Sequence, residues 1–415
     1  MSGAERRSQP RVAIVGAGIG GLAAAAFMRR AGLNCVTVYE QAQQATEIGA
    51  GIQMAPNAMR LLQRLGLGAQ LRAAGMRLET GWQLRRWQDG RVLFSQQLGD
   101  ACERRFGAPY CVLHRAALMD AIDSLLPPGM VKRGRRCIGA VQTAAGVVLR
   151  FADGGHAEAD VAVGADGIRS VLRSVVTEPL EPEFSGLAAY RCVVPAARAP
   201  ALTRRPVFTS WLGPGRHLVH YPLTAQGDVN VVAVVPAGDW RAESWAAEAS
   251  VAEMCGEFAG WHQTLTQLLA GADSTFLFAL YDRAPLARWT VGRITLLGDA
   301  AHPMLPFFAQ GAGQAIEDGV ALAARLAAAT STSAERALVD YQTARLGRAS
   351  RVQALSRRSP ERNHLPDGPA QRQRDAELAG LDPLEHQAWV YEHDSEDAAE
   401  ISTNAPVNGK SRVSA

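Results

Sequence analysis

The strongest constraint on the fold lies within the first forty residues. Gly16, Gly18, Gly20 and Gly21 fall between a short apolar run, Val12 to Val15, and an alanine-rich stretch that ends near Gly32. A second apolar run, Val36 to Tyr39, follows and closes on Glu40. Strand, glycine turn, helix and strand make the start of a βαβ unit, which commits the chain to a parallel sheet. Gly16, Gly18 and Gly21 have GxGxxG spacing. The first glycine permits a tight turn, the second lets a pyrophosphate approach the backbone, and the third lets helix and strand pack closely. The helix start adds unpaired N–H groups and a positive dipole end. Glu40 stands at a strand end, where a carboxylate can accept hydrogen bonds from a ribose. The pattern indicates a dinucleotide and does not separate FAD from NAD.

Composition excludes several other classes. A net charge of +3 over 415 residues implies no polyanion, so no nucleic-acid partner is expected. The six cysteines are scattered without a CxxC pair, which fits reduced thiols in a cytoplasmic protein. The nine histidines lack metal-ligand spacing, and no metal site is expected. His217 and His220 come nearest, but a strand would turn them to opposite faces. The apolar run Val12 to Met28 is broken by glycines and followed at once by Arg29 and Arg30. It is barely of spanning length, and no membrane segment is expected.

Further along, residues 57–75 read as an amphipathic helix and 82–98 as a hairpin about Asp89–Gly90. Val112 to Leu126 reads as helix, and residues 137–152 alternate as strands do. Between about 180 and 282, short β-branched and aromatic runs indicate an antiparallel sheet. Residues 294–330 return to strand, turn and alanine-rich helix, and 335–358 form a further helix. The pattern loosens after about 360, and disorder is expected for residues 1–10 and from Glu396 onward.

Two more strand-then-turn segments carry chemistry. In one, Ile294 to Leu297 leads into Gly298, Asp299, His302 and Pro303, and then into Gln310, Gly311, Ala312 and Gly313. A carboxylate at such a strand end can bind a ribityl or ribose hydroxyl, and a glycine-rich helix start can set N–H groups against an anionic ring. In the other, Val161 to Ala165 leads into Asp166, Gly167, Arg169 and Ser170.

In this order and spacing, the three segments resemble the single-component FAD-dependent aromatic hydroxylases, most closely the salicylate hydroxylase and 6-hydroxynicotinate 3-monooxygenase branch. The resemblance covers about residues 11–360. It includes Gly49 to Asn57, Leu113 to Arg115 and Gly213 to Tyr221, with tail words at His364 to Pro369 and Trp389 to Tyr391. It implies an α/β fold: a Rossmann-like FAD-binding domain, an antiparallel-sheet substrate domain and C-terminal helices. The corresponding division is 11–180 for the first part of the FAD domain, with a hairpin insertion at about 80–105. The substrate sheet takes 181–282, the returning FAD part 283–360, and a C-terminal extension 361–415.

The resemblance further implies that FAD is reduced by NADH or NADPH and reacts with O2. A flavin C4a-hydroperoxide would then hydroxylate a small aromatic substrate in a monomer or homodimer. It places Gly16, Gly18, Gly20, Gly21, Glu40, Gln41, Gln53, Arg115, Asp299, Gly311 and Ala312 at FAD, and Asp166 and Gly167 near the pyrophosphate. His217 and Tyr221, four apart in a strand, would share one face and handle the substrate hydroxyl. His302, in the turn after Asp299, would lie against flavin and substrate. Gln53 departs from the hydroxynicotinate enzymes, which carry a histidine base there, and this shifts weight toward a salicylate-type or another hydroxylated aromatic acid. Arg85, Arg86 and Arg191 are candidates for a carboxylate anchor. A flavin oxidase or dehydrogenase would share the N-terminal cradle but not the Gly298–Asp299 segment. A non-catalytic flavin-binding redox protein is the other alternative.

Overall fold

The computed structural model describes residues 9–44, 51–178, 180–238 and 246–396. Of the disorder expected for residues 1–10 and from Glu396 onward, residues 1–8 and 397–415 lie outside them, as do Gly49 and Ala50. A six-stranded sheet holds the N-terminal motif at its centre. Its order is Thr290–Val291, Ile294–Leu296, Val161–Gly164, Val12–Val15, Val36–Tyr39 and Val131–Lys132. Val12 pairs in parallel with both Val161 and Val36. A strand flanked on both edges and covered on both faces has no solvent side, which explains why all four of its residues are apolar and buried.

Helix Ile19–Arg30 packs against helix Gly311–Ala327 closely enough that a Cβ on Gly319 would meet the backbone of Ala24 at 2.9 Å. Small side chains on both helices permit this approach. It brings together the two helix starts that follow the glycine turns, although they lie almost three hundred residues apart in sequence.

The second large sheet has eight strands, in the order Ala246–Ala249, Thr275–Asp282, Glu183–Val194, Val229–Pro236, Arg216–Pro222, Val207–Gly213, Gly81–Arg86 and Val92–Gln96. Its period of two separates its faces. One face packs Tyr190, Trp211, Leu218 and Val231 against Met254, Leu265 and Leu268 of helices Val251–Glu257 and Gln263–Ala270, and against Phe258 just past the first. The other presents Arg191, Phe208, Ser210, His217, Val219, Tyr221, Val232 and Val234 to a cavity.

The hairpin about Asp89–Gly90 forms, but it leaves the parallel sheet. Gly81–Arg86 pairs in parallel with Val207–Gly213 and extends the eight-stranded sheet. The helix expected over Val112 to Leu126 is instead strand Cys111–His114 followed by helix Arg115–Asp123. Cys111 to Leu113 are claimed by pairing with Gly51–Met54 and Gly75–Arg77, a tertiary preference that a short apolar run does not reveal. The stretch 57–75 divides into helices Pro56–Arg64 and Gly68–Ala74. Beyond 360 the chain stays regular, with helices Pro369–Ala379 and Pro383–Tyr391.

Helix Ala334–Asn363, about 45 Å long at 1.5 Å per residue, joins the two sheets. Near its start Gln342 accepts hydrogen bonds from the Trp289 and Thr290 N–H groups. Later, Gln353 donates to the Arg283 and Pro303 carbonyls, and Arg357 pairs with Asp282. No helix among the described residues is long and apolar enough to cross a membrane.

Candidate functional site

A cavity of about 520 Å³ lies between the two sheets. Its floor comes from the glycine turns and helix starts: Gly18, Gly20, Gly167, Gly298, Asp299, Gly311 and Ala312, with Gln53 and Arg115 at the side. Its roof is the open face of the eight-stranded sheet. Both helices Ile19–Arg30 and Gly311–Ala327 begin at the floor, so two positive dipole ends meet there. The loop entering the second helix holds Ala309 at φ 50°, the one positive φ among described non-glycine residues. Backbone strain of this kind is retained where the surroundings over-determine a loop, and here Ala309 itself lines the cavity.

Glu40 lies behind the floor. One carboxylate oxygen accepts the Ala17 N–H at 2.7 Å and the other the Ala42 N–H at 2.8 Å, which holds the turn and the residue beyond the strand in register. Gln41 is exposed and outside the cavity wall. Asp166 is also behind the wall, accepting from Val171 N–H at 2.7 Å, and burial raises its pKa. Asp299 opens into the cavity. Desolvation by the surrounding protein raises its pKa, opposed by His302 and Arg115.

On the roof, Tyr221 is 2% exposed and His217 4% exposed, both facing the cavity. Burial raises the Tyr221 pKa against the opposing charge of Arg191, and the phenol stays protonated. Burial, and then His364, holds the His217 pKa well below 6.5, so the imidazole is neutral. His220 faces the helices behind the sheet, where its Nε2 accepts from Trp211 Nε1 at 3.1 Å.

His302 requires a correction of position. Its ring packs on Trp289 with centroids 5.2 Å apart, and its Nε2 lies 2.6 Å from Asp318. It is turned into the core beneath the floor and does not line the cavity. The turn between Asp299 and Pro303 brings the backbone near the site but aims this side chain inward.

The three arginine candidates separate cleanly. Arg85 lies behind the sheet with Trp211, bonded to the Gly90 carbonyl and Gln83. Arg86 is held by Asp367 at 2.7 Å. Arg191 lines the cavity, its guanidinium 5.2 Å from the Phe278 ring, and its buried Nε has no hydrogen-bond partner among the described residues.

The sequence matches the family described as "FAD binding domain" over residues 9–356. It is 44% identical to a 3-amino-4-hydroxybenzoate 2-monooxygenase of Streptomyces platensis, covering 92% of this chain and 96% of that protein. It is 37% identical to the 6-hydroxynicotinate 3-monooxygenase of Pseudomonas fluorescens, covering 84% and 90%. The fold superposes on a salicylate hydroxylase substrate complex with TM-score 0.83 and 28% identity, covering 97% of this chain and all of that one. The chain belongs to the FAD-dependent aromatic monooxygenases.

The floor of this monooxygenase fits its cofactor. Cβ atoms at Gly16 and Gly21 would strike protein backbone, whereas a Cβ on Gly18 would meet nothing within 4 Å. The second glycine therefore keeps a space clear that the protein itself does not fill. We predict that Gly18→Ala leaves the unfolding midpoint of the apoprotein unchanged but weakens FAD binding by about 1–3 kcal/mol. Gly21→Ala, by colliding with the Gly16 carbonyl, should lower the midpoint itself. Equilibrium unfolding and flavin titration of the two variants separate these effects; equal FAD affinity in Gly18→Ala and the parent would refute the assignment.

Several cavity residues of this monooxygenase carry no signal in the sequence. Ser359, Arg362, Asn363, Arg374, Leu378 and His386 come from the C-terminal helices and the end of the long helix. Their helices have apolar faces too weakly patterned to be picked out, and only packing shows what they cover.

Proposed function

We propose that this enzyme hydroxylates the ring of a small hydroxylated aromatic acid, with NADH or NADPH and O2 as co-substrates. Amino-hydroxybenzoates are the favoured class. The observation that carries the reading is Arg191, a guanidinium without a carboxylate partner among the described residues, on an otherwise mostly apolar roof of Val219, Val232, Val234 and Phe208. A buried cation lacking an anion is costly, and a substrate carboxylate supplies the missing charge with charge-assisted hydrogen bonds.

When bound, FAD supplies the two-electron chemistry with NAD(P)H and the activation of O2. The remaining tasks belong to the chain. The apolar roof excludes water and stacks the ring. The neutral His217 imidazole accepts the hydroxyl proton of the substrate, which raises the nucleophilicity of the ring, and the Tyr221 hydroxyl holds the resulting oxyanion. Gln53 accepts a hydrogen bond from the Tyr110 hydroxyl at 2.7 Å and has no basic function to offer, which weighs against a hydroxynicotinate. The amino-hydroxybenzoate preference follows the Streptomyces platensis relative.

The test is a panel of 3-amino-4-hydroxybenzoate, salicylate, 3-hydroxybenzoate and 6-hydroxynicotinate. One benzoate should accelerate NAD(P)H oxidation with matching O2 uptake and hydroxylated product; failure of all four to do so would overturn the proposal. Within the panel, Arg191→Met should raise KM for the active acid roughly 10- to 150-fold, the equivalent of about 1.5–3 kcal/mol for hydrogen bonds to a charged group. It should leave the reaction of an uncarboxylated phenol unaffected. An unchanged KM for the acid would remove Arg191 from the role.

A further inference from the structure

His217 does not end at the cavity wall. Its Nδ1 lies 2.6 Å from Nε2 of His364, with the ring centroids 4.9 Å apart. The other face of the site fixes the ring as well, because Phe307 packs edge-on with centroids 5.3 Å away. His217 Nε2 has no hydrogen-bond partner among the described residues, and the side chain lines the cavity. His364 directly follows helix Ala334–Asn363 and is half-buried, outside the cavity lining. Its carbonyl accepts the Gly215 N–H at 3.0 Å, which fastens it to the turn that leads into the His217 strand.

We propose that His364 is a positioning residue that carries the substrate hydroxyl proton from His217 out of the cavity. The inference rests on the hydroxylated-acid reading above. Two imidazole nitrogens at this distance share one proton, since two lone pairs or two N–H groups would repel. With the proton on His217 Nδ1, the bond to His364 leaves Nε2 as a bare acceptor facing the cavity. The substrate O–H bond breaks, its electron pair stays on oxygen, and its proton forms a bond to His217 Nε2. The Nδ1–H proton of the resulting imidazolium passes to His364 Nε2, and His364 releases its Nδ1 proton to solvent. His217 is then neutral again, with an Nε2–H that donates to the phenolate. The proton returns by the same route when product leaves.

The surroundings favour neutral resting states for both rings. Burial and then Arg216 bring the His364 pKa down to about 4, and burial followed by His364 holds that of His217 well below its usual 6.5. Arg216 is held by Glu257 at 2.7 Å, so its charge is partly met and remains at the outer end of the pair. A proton reaching His364 is therefore expelled toward water and does not accumulate.

The test needs no turnover. Holoenzyme is mixed with 3-amino-4-hydroxybenzoate or salicylate in weak buffer without NAD(P)H, and a pH indicator follows proton release by stopped flow. The parent should release a proton as the flavin spectrum reports binding. His364→Ala should slow that release at least about tenfold while FAD content and ligand affinity stay within about twofold, and added imidazole should restore it. His364→Gln, which preserves volume and a hydrogen bond but cannot relay a proton, should be equally slow. Release at the parental rate in both variants overturns the proposal, as does slow release that imidazole fails to rescue. A parent that binds neither of these nor the other two acids of the panel overturns the substrate reading and this proposal with it. Hydroxylation by the parent together with fast release in the variants overturns this proposal alone.

Discussion

Arg345→Met is expected to cost about 3–5 kcal/mol of stability, because it strips one of two cations from a buried charge network. Beneath the cavity floor, Glu317 and Asp318 are fully buried neighbours on one helix. Arg345 Nη1 donates to Glu317 at 2.6 Å and its Nε to Asp318 at 2.8 Å, while Arg348 covers Glu317 from the other side at 2.7 Å. Burial would raise the Glu317 pKa, but Arg345 and Arg348 outweigh it and bring it down to about 2. Two carboxylates and two guanidiniums balance. Removing Arg345 leaves Asp318 without its guanidinium in a site closed to water. The same aspartate accepts the Gly298 N–H at 3.0 Å and holds His302, so the loop carrying Asp299 loosens with it. Flavin retention should therefore fall along with the denaturant midpoint. A parental midpoint in Arg345→Met would show that the network is not structural. The network also sets an acid limit. The Glu317 contribution is complete above its unfolded value of 4.5 and is lost as pH falls toward about 2.

The second large effect is on the reaction. Tyr221→Phe and His217→Ala should each lower coupled hydroxylation by roughly 10²-fold or more while the protein keeps its FAD. Both side chains face the cavity from the strand Arg216–Pro222, on the roof and away from the glycine turns of the floor. Loss of proton handling leaves the ring less nucleophilic, so NAD(P)H should still be consumed but with less product formed per mole oxidised. The ratio of product to NAD(P)H consumed is the quantity to measure. Full coupling in both variants would remove the pair from the chemistry.

How much of this was legible depends on the range of the interaction concerned. The glycine turn could be read because GxGxxG constrains backbone within a few residues, and the structure places Gly18 facing open space and Gly21 against Gly16. The shared face of His217 and Tyr221 could be read because strand geometry repeats every two residues. The same periodicity put His220 on the other face. The choice among Arg85, Arg86 and Arg191 could not be read in this way. Each sits in a strand, but which face meets the cavity depends on how the strands pack. The hairpin at residues 81–96 gave its turn away through Asp89–Gly90, yet its partner strand, Val207–Gly213, is over a hundred residues distant. His302 looked like a site residue because it follows Asp299. Asp318, buried on the next helix, drew it inward instead.

Local residue order was enough to reveal the glycine cradle, the strand alternation that sorts the faces of the eight-stranded sheet and the family to which the chain belongs. All three rest on local backbone requirements and on their order along the chain. Tertiary structure alone decided that Arg191 is the arginine turned into the cavity, that His364 meets His217 from 147 residues away and that C-terminal helices cover the cavity. Those contacts join segments with no common period, and nothing but the closed packing of the two sheets brings them together. Gly18 keeps the floor of the cavity open, and the packing of the second sheet over it forms the roof.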